Sequence, residues 1–171
     1  SKTYMLGMTD TAVELCGGNL REEIYYGIKK IITELAFHEL HIIEGVEQTL
    51  ETVRRMGWEM AVATKGDLTE QMGKYRQCGL DRYFHHIEVL ENKDRKNYLE
   101  LCRKFDISPE ELVMAGNSVK SDIVPVIEIG GRAIHVPHDM VWAHEFADMP
   151  VSDRVFEVES ILDVPHVLSQ F

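Results

Sequence analysis

The chain has 171 residues and a formal net charge of −11, long enough for one domain with a real core, or a core plus a small appendage. The acidic balance argues against a nucleic-acid partner, because phosphate backbones demand excess Lys and Arg. No apolar run approaches the roughly 20 residues of a membrane span. No signal peptide is visible, the composition is that of an ordinary soluble globular protein, and a cytoplasmic location is expected. Cys16, Cys78 and Cys102 are odd in number and outside metal-ligand spacing, the pattern of free thiols in a reducing compartment.

In chain order, residues 3–15 and 20–36 read as two helices, with Gly17-Gly18-Asn19 as the stop and turn between them. Near residues 41–43 the pattern changes. Residues 44–56 form a predicted helix closed by Gly57, then 59–64 a strand, 67–78 a helix stopped by Gly79, and 84–90 a strand. Residues 94–105 form a helix with Tyr98, Leu99 and Cys102 on one face. Then come a strand at 112–115, a helix at 121–129 ended by Gly130-Gly131, and strands at 132–136 and 155–158. Ser160 caps a last helix to Leu168. Short loops and alternating strands and helices from residue 44 onward imply βαβ units. The expected fold is α/β, a Rossmann-like parallel sheet with helices on both faces over residues 44–171. Residues 1–43 read as a separate helical piece.

Two strand-loop-helix turns carry polar residues. Val62-Ala63 runs into Thr64-Lys65-Gly66-Asp67, and Val113-Met114-Ala115 runs into Gly116-Asn117-Ser118 and on to Ser121-Asp122. Open α/β sheets bind ligands at the carboxyl ends of their strands. Thr64 offers a hydroxyl and a backbone N–H to a phosphate oxygen, and the helix starting near Asp67 adds partial positive charge. Lys93 offers a fixed positive charge to an anionic group, and Asp122 a hard oxygen ligand for Mg²⁺. Each has a bland alternative: Thr64 could end a strand, Lys93 could be solvated, and Asp122 could be an N-terminal helix charge. Their shared order and position after strands favours the functional reading, and predicts that Thr64, Lys93 and Asp122 converge at one edge of the sheet.

The ordered set Val62 to Asp67, then Lys93 before Tyr98, then Gly116-Asn117-Ser118 to Ser121-Asp122 resembles the haloacid dehalogenase superfamily, above all its phosphatase-like hydrolases with a helical cap. The resemblance assigns Thr64 and Lys93 as catalytic, Thr64, Lys65, Gly66 and Asn117 to substrate binding, and Asp122 to the metal. Asn117 stands where many members have Asp. The stretch from Ala133 through His138 to Trp142, His144 and Glu145 resembles one branch of the family. The resemblance implies a Mg²⁺-dependent phosphatase acting on a small phosphorylated metabolite. The family's first motif, Asp-x-Asp-x-Thr, supplies the nucleophile and general acid/base and ends the central strand. It is absent; Asp10-Thr11 is the nearest string. The resemblance then makes residues 1–43 a partial helical cap, and implies a chain that begins inside that cap, lacks its nucleophile, and as given turns over little or nothing.

Three other readings compete. One is a non-catalytic scaffold that binds a ligand or partner; another is a haloacid dehalogenase proper. The third, a nucleotide-binding Rossmann module, is disfavoured because no Gly-x-Gly-x-x-Gly follows a strand. His135, His138 and His144 match no zinc spacing, and His138 and Trp142 suit a substrate-facing loop. His85 and His86 flank a strand, with His86 paired or exposed. A homo-oligomer stays open.

Overall fold

A computed structural model describes residues 2–36, 41–138 and 147–171. The chain divides into two compact units, Ser1–His41 and Ile42–Phe171. In the first, helices α1 (Lys2–Leu15) and α2 (Glu22–Ala36) pack on each other. They are separated at Gly17 and Gly18, both with positive φ, a backbone region that glycine enters without penalty. Ile28 and Ile32, four apart on α2, are buried, whereas Leu6, Leu15, Tyr26 and Ile31 are exposed.

The second unit opens with α3 (Val46–Arg55). Its chain reverses at Gly57, φ 86°, into β1 (Ala61–Lys65). Next come α4 (Leu68–Cys78), β2 (His86–Leu90) and α5 (Arg95–Phe105). Asp94 caps α5 by accepting the Asn97 N–H at 2.9 Å, which fixes where the β2–α5 loop ends. On α5 the residues Tyr98, Leu101 and Cys102 are buried, the i, i+3, i+4 stripe of an amphipathic helix. Leu101 therefore takes the inward position expected for Leu99.

β3 (Val113–Gly116) follows. The helix expected at 121–129 is split: a π-helical turn over Val119–Ile123 leads into α6 (Val124–Glu128), which carries Pro125 in its first turn. β4 (Arg132–His135) and β5 (Val155–Glu157) complete the strands. The terminal helix is a 3₁₀ turn at Ile161–Asp163 followed by α7 (Val164–Leu168), because Pro165 has no N–H to continue a ladder.

All described pairings are parallel, as the βαβ pattern requires, but they form two sheets rather than one. β1 pairs with β2, and β3, β4 and β5 pair in that order. No described strand lies between β1 and β3 to join them. Two apolar clusters flank the sheets. Val53, Met60, Tyr83, Ile134, Val164 and Leu168 belong to one, and Tyr98, Leu101, Ile123, Val126 and Ala133 to the other. Neighbours Ala133 and Ile134 fall in opposite clusters, as the two-residue period of a strand demands. No described helix is long and apolar enough to cross a membrane.

Candidate active site

The site is built at the carboxyl ends of β1, β2 and β3. Lys93 lies just past β2, next to the cap of α5. Asp122 lies in the π-helical turn after β3, 3% exposed. The Lys93 ammonium donates to Asp122 Oδ1 at 2.6 Å, with the two side chains 13% and 5% exposed. Two charges this far from water persist only when paired. The second carboxylate oxygen, Oδ2, accepts the Ser118 N–H at 3.0 Å, and the Asp122 N–H returns to the Ser118 carbonyl at 2.7 Å. Both oxygens of Asp122 are therefore engaged.

Three further groups hold this turn. The Ser118 hydroxyl oxygen accepts the Ser121 N–H at 3.0 Å, and the Ser121 carbonyl accepts the Tyr98 hydroxyl at 3.0 Å. Gly116 provides clearance: a Cβ there would sit 2.7 Å from the Asp122 Cβ, far inside van der Waals contact. Tyr98 is fully buried. Its burial first, and the negative Asp122 second, push its phenol well above the ordinary tyrosine range, so it stays a neutral donor. Ser118, Ser121, Tyr98 and Gly116 were not marked as site residues in the sequence. The traces were there: Ser118 and Ser121 each stand four or fewer positions from Asp122, the spacing of self-capping turns.

Lys65, the last residue of β1, donates to Ser121 Oγ at 3.1 Å, so this predicted substrate-binding lysine links the end of β1 to the turn after β3. Thr64 is half-buried, and its hydroxyl makes a long 3.4 Å contact to the Lys65 carbonyl. The nearby Tyr75 phenol is raised mainly by burial and next by Cys78, with the Thr64 hydroxyl pulling it back. Gly66 adopts φ 125°, a conformation that brings the backbone round to α4 and that a side chain would strain. Thr64, Lys93, Asn117 and Asp122 line one cavity of about 690 Å³. Asn117 is exposed and its carbonyl lies 3.2 Å from His135 Nε2.

The histidines divide. His135 bridges the Asn117 carbonyl and, at 3.9 Å, Glu157, a tie between β4, β5 and the loop after β3. His86 lies against the Phe105 ring, centroids 4.8 Å apart, and 3.8 Å from Glu59. His138 is exposed; Trp142, His144 and Glu145 lie outside the described residues.

Mg²⁺ demands near-octahedral oxygen ligation. Among the described residues no three His, Cys, Asp or Glu side chains group to hold a metal ion. Asp122 is a single carboxylate whose oxygens are committed to Lys93 and Ser118. The set does not by itself fit Mg²⁺.

The family pattern described as haloacid dehalogenase-like hydrolase matches residues 4–130. The chain belongs to the haloacid dehalogenase-like hydrolase family. A haloacid dehalogenase-like hydrolase from Xanthomonas campestris superposes with a TM-score of 0.84 at 31% identity, over 97% of this chain and 70% of that one. Among curated relatives, the glyceraldehyde 3-phosphate phosphatase of Pyrococcus furiosus is 22% identical over 137 residues, covering 77% of this chain and 55% of that protein. The enzyme of the same name from Methanopyrus kandleri is 29% identical over 80 residues, 44% of this chain and 34% of that protein. The chain thus spans about half or less of the curated relatives it matches.

Proposed function

We propose that this haloacid dehalogenase-like chain carries the phosphoryl-binding half of a hydrolase acting on a small phosphate monoester. The observation that carries the reading is the buried Lys93–Asp122 pair at the carboxyl ends of parallel strands, facing the same cavity as Thr64 and Asn117. Asp122 holds the lysine in place. Lys93 then presents its remaining N–H donors and charge to a phosphoryl oxygen, where fixed positive charge stabilises the charge that develops on transfer. The Thr64 hydroxyl, the backbone around Lys65 and Gly66, and the amino end of α4 take further oxygens; Asn117 offers a neutral amide.

Attack on phosphorus needs a free nucleophile in this cleft. Asp122 is tied to Lys93 and Ser118, so residues 1–171 alone are expected to show negligible turnover. The expected Mg²⁺ dependence belongs to a chain that brings further carboxylates to Asp122. The curated relatives named for glyceraldehyde 3-phosphate support a small phosphorylated metabolite as the substrate class. Three free cysteines suit the cytoplasm. The helical unit is proposed as a partial cap.

The test has two arms. Melting curves with inorganic phosphate should show residues 1–171 stabilised by ligand linkage, and Lys93→Ala should abolish the effect. A chain extended with an Asp-x-Asp-x-Thr strand should hydrolyse glyceraldehyde 3-phosphate or another small monoester with Mg²⁺. Absence of both phosphate stabilisation and hydrolysis of any monoester would falsify the reading and leave the non-catalytic scaffold.

A further inference from the structure

His135 ends β4, between the other two strands of its sheet. Its register partner on β3 is Gly116, and on β5 it is Glu157. The side chain is 17% exposed and reaches toward both neighbours. Nε2 lies 3.2 Å from the Asn117 carbonyl oxygen, and Nδ1 lies 3.9 Å from Glu157 Oε2. A carbonyl oxygen only accepts, so the Asn117 contact places a ring proton on Nε2. The two contacts are unequal. Glu157 is 67% exposed and beyond hydrogen-bond range, and such a pair contributes little. The bond to Asn117 is the one able to direct the site.

The Asn117 carbonyl belongs to the same rigid plane as the Ser118 N–H. Across a trans peptide these two groups point in opposite directions. The Ser118 N–H donates to Asp122 Oδ2 at 3.0 Å, and Asp122 Oδ1 accepts the Lys93 ammonium at 2.6 Å. A continuous line of donors and acceptors therefore runs along the carboxyl edge, from the end of β4 to the residue that follows β2. On either side of this peptide the backbone is anchored. The Val136 N–H donates to the Gly116 carbonyl at 2.9 Å, and the Asp122 N–H to the Ser118 carbonyl at 2.7 Å. Those anchors leave the 117–118 plane free to rotate between them. Rotation would carry the Ser118 N–H off a carboxylate that is 5% exposed, where water is poorly placed to replace it.

We infer that His135 is a positioning residue: by holding the Asn117 carbonyl it aims the Ser118 N–H at Asp122, and so fixes where Lys93 presents its ammonium. It acts through the 117–118 peptide and needs no contact with substrate. Hydrogen bonds in a chain polarise one another, most strongly where one end is charged. The Nε2–H therefore also strengthens the Ser118 N–H as a donor to the carboxylate. The bearing on phosphate binding rests on the proposed function; the aim of the Ser118 N–H does not.

The test uses the 171-residue chain and three variants. His135→Met removes the donor at similar bulk. His135→Gln returns an N–H donor close to the Nε2 position. Val167→Ala truncates a buried side chain of α7 that takes no part in the line. Amide hydrogen exchange reads Ser118, and nitrogen-edited spectra of the lysine ammonium groups read Lys93. In His135→Met, Ser118 exchange should speed by about tenfold beyond any global loss of protection, and the Lys93 ammonium should lose its slowly exchanging signal. Inorganic phosphate should bind about five- to tenfold more weakly, the net worth of one hydrogen bond. His135→Gln should keep all three readings close to wild type, and Val167→Ala should change none of them beyond its effect on global stability. Matching Ser118 and Lys93 readings in His135→Met and Val167→Ala overturn the inference, because the histidine is then a packing element. Failure of His135→Gln to restore the Ser118 reading overturns it as well, since the donor is then not the cause. Should His135→Met fail to fold, ring-nitrogen spectra of the wild-type chain decide. A proton on Nδ1 alone overturns the inference, and a proton on Nε2 together with slow Ser118 exchange supports it. Absence of phosphate binding by the wild-type chain counts against the proposed function and leaves the Ser118 and Lys93 readings to decide this one.

Discussion

Lys93→Met removes the ammonium while keeping most of the side-chain volume. In the native fold its partner Asp122 is 5% exposed and its Nζ lies 2.6 Å from Oδ1. Without the lysine the carboxylate keeps only the Ser118 N–H and stays out of water. Breaking a buried pair from one side costs about 3–5 kcal/mol, a large share of the roughly 5–15 kcal/mol that holds a domain together. At 2–4 °C per kcal/mol for a chain of this size, the melting temperature should fall by about 6–20 °C. Asp122→Asn should sit near the lower end of that cost, because Lys93, 13% exposed, can turn toward solvent. The double variant buries neither charge, so it should be less destabilised than the sum of the singles by up to about 3 kcal/mol. Urea unfolding followed by circular dichroism, with slopes compared across the four proteins, reads all three quantities. If Lys93→Met costs less than about 1 kcal/mol, as a solvated surface pair would, or if the single effects add, the buried pair is not what organises the site.

Gly116→Ala should lower stability by about 1–3 kcal/mol through overpacking, and should abolish phosphate-induced stabilisation, because its Cβ would displace Asp122; a melting curve unchanged from wild type would contradict the close approach. Tyr98 has its phenol raised by burial and then by Asp122, so the folded state keeps a proton that an unfolded tyrosine loses near pH 10. Its contribution is complete below pH 10 and is lost as pH rises beyond it, at about 1.4 kcal/mol per pH unit. Tyr98→Phe should cost about 1–3 kcal/mol at neutral pH by orphaning the Ser121 carbonyl, and should flatten the decline in melting temperature between about pH 10 and 11; an unaltered alkaline slope would count against it. Gly45→Ala combines a positive φ with a Cβ 2.7 Å from Leu162 Cγ, and should destabilise by at least about 1–2 kcal/mol; thermal melting checks it.

The succession of helices and strands was legible in the sequence because each element carries its own period and punctuation. Gly57 and Gly79 mark turns and Ser160 a cap; these are local signals that tertiary structure had no reason to override. The position of Lys93 and Asp122 after strands was legible for the same reason. Other features depend on partners distant in sequence. That Lys93 closes on Asp122 joins residues 29 apart, and Tyr98 reaches Ser121 across 23. Leu101 rather than Leu99 faces inward because α5 packs against Ile123 and Val126. Proline at 125 and 165 and the reciprocal Ser118–Asp122 bonds broke two expected helices into shorter turns. Periodicity also promised a single sheet, since it records only that strands exist and which faces they bury. Which edges pair is set by what lies beside them in space, and between β1 and β3 the described residues supply no strand. Strand identity is a property of short stretches of sequence, whereas sheet continuity is a property of their neighbours, and only the tertiary structure holds that information.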